Sequence, residues 1–329
     1  MIHRYLVLAA LWLCCGIHAG AQTCTTSKKT NPLGVEISKA ALREYKEFNG
    51  HRINENGFLW KFGSTESENE LLHDPETGIA DPSRSGRFAW RRVWEYWLTL
   101  DTYVPGESLS RHVILVPGLL KNPETTRKST TISLHELFSK FKADDKDTDH
   151  ALRQAAVRAA LNDSPWSATF ISYLMSQANM TNQQFNYSSA HWKYIKTAFE
   201  QPAGYAYKAC DPRRTVPAVG DLLCHSRGDY LLKNFSQWRD AARNASASVT
   251  SHCDVVISVN ARAKRVELIG GNIMQSVARR TLKLNARNLV SSRYNPDRFV
   301  TINNGGCADD SCHYPNLNVQ YWSVLLQLQ

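Results

Sequence analysis

The stretch whose reading decides the fold is Ser164-Pro-Trp-Ser-Ala-Thr-Phe-Ile-Ser172. Ser164 followed by Pro165 predicts a helix start, because a serine hydroxyl caps free backbone N–H groups and proline loses nothing at the first helical position. Behind it Ala168, Phe170, Ile171, Leu174, Met175 and Ala178 recur at helical spacing and mark a face that must be buried. Ser167 then lies in the first turn, where the aligned peptide dipoles present positive charge. That position is a common seat for a nucleophile, but the stretch alone favours an ordinary first-turn serine.

The surrounding chain sets the compartment. His3 and Arg4 precede the apolar run Tyr5–Cys15, and Ala19-Gly20-Ala21 offers small residues for cleavage before Gln22, so residues 1–21 read as a secretory signal peptide. No later stretch approaches eighteen apolar residues, and no transmembrane segment is expected in the mature chain. The protein is expected in the periplasm or outside the cell. A formal charge of +9 suits an anionic envelope component as partner, while the basic residues are scattered and match no nucleic-acid-binding motif. Six cysteines follow the signal: Cys24, Cys210, Cys224, Cys253, Cys307 and Cys312. In an oxidising compartment an even number favours disulfides. Cys307 and Cys312 close a short polar loop and are expected to pair; the other four allow several connectivities.

In chain order, residues 22–34 read as an unstructured lead-in. Ala40–Phe48 reads as a helix stopped by Asn49-Gly50, Phe58–Phe62 as a short strand, and Phe88–Leu100 as a helix with the wide apolar stripe Phe88, Trp90, Val93, Trp94, Trp97, Leu98 and Leu100. Residues 102–149, with a helix near Leu134–Phe141, read as an insertion. Ala151–Leu161 is a helix leading into the Ser164 cap, and Ser188–Tyr194 begins another. The period then shortens: Val219–Cys224, His252–Val259, Arg265–Asn272 and Ser276–Leu284 are of strand type, and Tyr321–Leu328 is expected to add an edge strand. Helices followed by antiparallel strands give an α+β fold.

The order PWSATFIS, GDLLC (220–224), HCDVVIS (252–258) and ELIGGN (267–272) resembles that of CHAP-type and NlpC-type amidohydrolases, papain-like hydrolases of the bacterial cell wall. More closely it resembles an uncharacterised exported bacterial branch of them, in which PWSAxFIS carries Ser at the place of the nucleophilic Cys. Ser188, His191 and Tyr194 in SxxHxxY, the run Gly220–Arg227, the helix Ala41–Gly50 and the run Val93–Trp97 fit that branch. The resemblance covers roughly residues 40–285. It implies a papain-like domain over 22–287, N-terminal helices packed on an antiparallel sheet, and a C-terminal extension over 288–329.

Carried over residue by residue, the resemblance implies Ser167 as nucleophile, His252 as base and Asn272 as the group that orients the imidazole. Asp254, on the same face of its strand as His252, is the alternative orienter. A hydroxyl attacks an amide only with a general base beside it, and the base needs a third group to fix its tautomer. Trp166, His191, Tyr194, Asp221 and Arg227 are candidate substrate-binding residues. Cys253 alternates to the face opposite His252 and is rejected as a nucleophile. His191, His225, His252, Asp221 and Asp254 supply metal-ligand types, but neither HExxH nor paired-Cys spacing is present, so no metal and no cofactor are expected. The expected function is cleavage of an amide bond in peptidoglycan stem peptides, with an inhibitor protein as a further partner. The alternatives are an inactive module that binds cell wall or protein, and a serine hydrolase acting on an ester or lipid.

Overall fold

The computed structural model describes residues 24, 31–67, 88–106, 113–116, 130–133, 139, 144–298 and 316–329. The signal-peptide reading, the Cys307–Cys312 pair and most of the helix expected at Leu134–Phe141 lie outside these residues.

Helix α1 (Pro32–Phe48) starts earlier than its apolar stripe suggests. The Asn31 side chain accepts from the Leu33 N–H and proline opens the helix, a start encoded by capping rather than by hydrophobicity. It stops at Asn49 in a left-handed conformation (φ 49°), as the Asn-Gly pair predicts. Helix α2 (Ala89–Tyr103) turns Trp90, Val93, Tyr96, Trp97 and Leu100 into the core and leaves Leu98 exposed. Helix α3 (Lys146–Asp163), capped by Asp145, runs up to Ser164.

Ser164 does not cap the helix that follows. It is the extended C-cap that follows α3, and helix α4 (Ser167–Gln177) has Trp166 at its N-cap with no side-chain acceptor. The reason is packing. The Trp166 ring is fully buried against Phe48, Tyr96 and Phe170, and that burial fixes where α4 begins. Ser167 is thus the first residue of the helix. Helix α5 (His191–Glu200) likewise starts without a side-chain cap, at Ala190, and helix α6 (Phe235–Arg243) is capped by Asn234.

Strands β1 (His51–Ile53), β2 (Leu59–Lys61), β5 (Tyr207–Cys210), β6 (Leu222–Ser226), β7 (Ser251–Asn260), β8 (Arg265–Ile273), β9 (Ser276–Lys283) and β10 (Val324–Leu328) form one sheet in the order β2-β1-β9-β8-β7-β6-β10-β5. β3 (Val113–Val116) and β4 (Thr130–Ser133) pair separately. The large sheet is mixed rather than wholly antiparallel, because β1 runs parallel to β9. The C-terminal strand is not an edge strand either. β10 lies between β6 and β5, antiparallel to both, so the segment expected as an extension is built into the sheet. The fold is α+β, with helices α1 and α4 packed on strands β7 and β8.

One core lies between helices and sheet and takes in Cys224, Cys253 and Val255; a second, with Leu223, Val256, Leu268 and Trp322, covers the other face. Disulfides Cys24–Cys210 and Cys224–Cys253 settle the pairings left open above and fit an exported protein. The second is buried and joins directly paired residues of β6 and β7, which accounts for both sulfurs. Among the described residues no helix is long and apolar enough to cross a membrane.

Candidate functional site

Four element ends meet at one place: the first residue of α4, the first residue of α5, the end of β6 and the start of β7. Ser167 Oγ lies 2.7 Å from His191 Nε2, and His191 Nδ1 is hydrogen-bonded to the Tyr194 hydroxyl one turn along α5. The His191 and His252 rings lie 5.1 Å apart, and the His252 and His225 rings 5.5 Å apart. The imidazole in contact with Ser167 is therefore His191, where the resemblance implied His252. Helical spacing brings Tyr194 under His191, whereas the distant loop that carries His191 to Ser167 left no local mark in the sequence.

His252 Nε2 donates to Asp254 Oδ1 at 2.8 Å, so Asp254 orients this ring and Asn272 does not. Asn272 sits in a bulge of β8 with φ 54°, half-buried, where the register shifts between Gly270 and Ile273. Gly270 leaves the space that Asp254 needs: a Cβ there would lie 1.8 Å from Asp254 Oδ1. Arg280 Nε stands 2.8 Å from Asp254 Oδ2, an ion pair by distance but not aligned as a hydrogen bond. Sequence reading missed Arg280, which carries no motif on an alternating strand.

The remaining candidates divide. Trp166 is core, its indole N–H donating to Glu66, and offers no surface to a ligand. Asp221 is also structural: its carboxylate accepts from the Ala218 and Leu328 N–H groups and fastens β10 to the start of β6. Arg227 is exposed just past the end of β6, its own N–H bonded to Thr250 O at 2.8 Å. Glu66, also missed by sequence reading, lies in a polar loop with no periodic signal.

Electrostatics follow burial. Ser167, His191 and His252 are 3%, 4% and 3% exposed, so the site is closed rather than an open cleft. Burial lowers the pKa of His191 well below its usual value, with the nearby charges of His252, Arg227 and His225 adding to the effect. His225 is lowered by burial to about 3. Burial also lowers His252, against the opposing pull of Asp254. Burial opposes ionisation of Asp254, but Arg280 and His252 outweigh it and bring its pKa to about 2. Tyr194 is raised well above the phenol range, chiefly by burial, and keeps its proton. At neutral pH the site thus holds neutral imidazoles beside one carboxylate.

Two proton arrangements satisfy the bonds. With Nδ1–H donated to Tyr194, His191 Nε2 has a lone pair for the Ser167 proton; with Tyr194 donating, Nε2–H points at Ser167 instead. Only the first makes His191 a base. The bond to Asp254 fixes the other imidazole: His252 Nδ1 is a buried lone pair with no partner among the described residues. Thr169 Oγ1, in the first turn of α4, is likewise unpartnered. The three imidazoles lie in a row with their rings tilted by 59° and 45°, and among the described residues no group of three or more His, Cys, Asp or Glu side chains is placed to hold a metal.

A family model described as "Uncharacterized protein conserved in bacteria (DUF2272)" matches residues 121–328. The chain belongs to this family. The DUF2272 match takes in Ser167, His191, Tyr194, Arg227, His252, Asp254 and Arg280, and starts beyond Glu66 and helices α1 and α2. Comparison with curated proteins and with solved structures finds no match.

Proposed function

We propose that this DUF2272 protein is an exported, cell-wall-directed hydrolase with a papain-like, CHAP/NlpC-type domain, cleaving an amide bond of peptidoglycan stem peptides at Ser167. The observation that carries the reading is the 2.7 Å contact between a helix-opening serine hydroxyl and a buried neutral imidazole. In the reaction Ser167 Oγ attacks the carbonyl carbon while its proton passes to His191 Nε2. The tetrahedral intermediate collapses as the leaving amine takes that proton, and water then hydrolyses the acyl-serine. First-turn N–H groups of α4, with no side-chain cap to occupy them, are suited to receive the oxyanion. His252, held by Asp254, packs against the imidazole that becomes charged.

Burial of Ser167 and His191 favours a second reading, an inactive module that binds cell wall or a protein partner, because turnover requires the site to open. Purified sacculi incubated with the mature protein and with Ser167→Ala and His191→Ala variants separate the two. Release of soluble muropeptides by the wild type, lost at least about 100-fold in both variants, supports hydrolysis. Equal release by all three proteins, or none, removes it. Sacculus binding without release leaves the module. Reaction of Ser167 with a fluorophosphonate, without muropeptide release, points to an ester or lipid substrate.

A further inference from the structure

The β6–α6 connection carries an arginine whose side chain has no hydrogen-bond or ion-pair partner among the described residues. Ser226 closes the loop, its Oγ accepting from the Leu232 N–H at 2.7 Å, and Gly228 adopts φ +76° at the bend. A Cβ at Gly228 would meet nothing within 4 Å, so the turn faces open space. Arg227, Asp229, Tyr230 (72% exposed) and Leu231 (42%) are displayed on it. Among the described residues Arg227 forms neither an ion pair nor a side-chain hydrogen bond, with Asp229 or any other group.

Its charge nevertheless reaches inward, lowering the pKa of both His191 and His252 and opposing the rise of Tyr194. Arg227 lies two residues past His225, at the end of β6 where His225 pairs with His252 across the strands and their rings lie 5.5 Å apart, so the loop begins at the edge of the Ser167 cluster. The exposed guanidinium has no carboxylate partner among the described residues; a free planar fork pairs two-fold with a carboxylate. Tyr230 and Leu231 place apolar surface beside it.

We infer that the loop Arg227–Leu231 is the recognition element of the Ser167 site and selects peptides bearing a free carboxylate, which Arg227 binds while Tyr230 and Leu231 cover the adjoining apolar segment. The inference rests on the proposed hydrolase only for the purpose of that recognition; binding itself needs no turnover.

The test uses mature Ser167→Ala protein and calorimetry with two probes, a stem-type tetrapeptide with free carboxylates and the same peptide with every carboxylate amidated. The acid is expected to bind at least about tenfold more tightly than the amide. Arg227→Gln removes that preference, and Arg227→Lys restores part of it, since a point charge replaces the fork. Tyr230→Ala weakens both probes by a similar factor. Equal binding of acid and amide, an unchanged preference in Arg227→Gln, or binding of neither probe overturns the inference. Muropeptide release without acid preference sinks this inference alone; acid-selective binding without release sinks the hydrolase alone.

Discussion

Two buried polar clusters share the helical layer and differ in one respect. In the first, the fully buried Glu44 carboxylate of α1 receives Arg92 Nε and Nη2 at 2.7–3.1 Å and the Tyr96 hydroxyl at 2.9 Å, while Arg92 also donates to the Tyr173 hydroxyl at 3.0 Å. In the second, around Ser167 and His191, the His252 Nδ1 and Thr169 Oγ1 atoms have no partner among the described residues and Asp254 meets Arg280 out of alignment. Satisfying every buried polar atom stabilises a fold, and leaving one unsatisfied costs about 1–3 kcal/mol. The first cluster belongs to the scaffold, which holds α1, α2 and α4 together. The second carries unmatched buried polar atoms of the kind that functional sites tolerate.

The contrast breaks most visibly at Arg92. Arg92→Ala strands a buried carboxylate; because the arginine is about one-third exposed, the low end of the usual range applies, about 3 kcal/mol. Ser167→Ala loses one hydrogen bond, about 1 kcal/mol. Urea unfolding of both variants checks this. If Ser167→Ala proves the more destabilising, the assignment of scaffold and site is reversed.

A smaller, pH-dependent effect is expected at Glu66, which links the β1–β2 side of the sheet to the start of α4. Its backbone N–H binds Gln275 O at 2.8 Å and its carboxylate takes the Trp166 indole N–H. Burial pushes its pKa from 4.5 up to about 7, the indole hydrogen bond working against that rise. With the folded pKa above the unfolded one, the stabilising contribution is complete below about 4.5 and is lost as pH rises through 7. Glu66→Gln removes the ionisation and is expected to gain about 3 kcal/mol relative to wild type at pH 8 over pH 4. Equal effects at the two pH values would show that Glu66 is charged in the fold at no cost.

The same contrast shows what the chain displays locally and what it conceals. The stripe of α2 shows its helical period and strands β7, β8 and β9 are β-type runs of eight or more residues, so all four are legible within a few residues. β10 is not: Val324–Leu328 looks like any terminal apolar run, and its neighbours Leu222–Ser226 and Tyr207–Cys210 are about a hundred residues away. Ser167, His191, Tyr194 and Asp254 are all found by residue type, yet their pairing is not. Which imidazole meets the serine depends on where α5 begins, and no side-chain cap marks that start. Ser164 misleads for the complementary reason: a residue able to cap sits where Trp166 needs to be buried, and burying a tryptophan outweighs the roughly 1 kcal/mol of a cap.

The smallest expected effect concerns Asn272. Its backbone is left-handed at φ 54°, a region in which asparagine is tolerated and glycine is strain-free. Neither ring nitrogen of His252 is bonded to it: one is on Asp254 and the other has no partner among the described residues. If Asn272 is there for its backbone, Asn272→Gly changes stability by no more than about 0.5 kcal/mol and leaves muropeptide release and Ser167 labelling at the wild-type level. Asp254→Asn, which keeps shape and removes charge, should impair both. If Asn272 orients an imidazole when the site opens, Asn272→Gly is the damaging change and Asp254→Asn the milder one. The order of these two variants therefore separates the pair seen in the closed structure from the papain-like arrangement implied by sequence order.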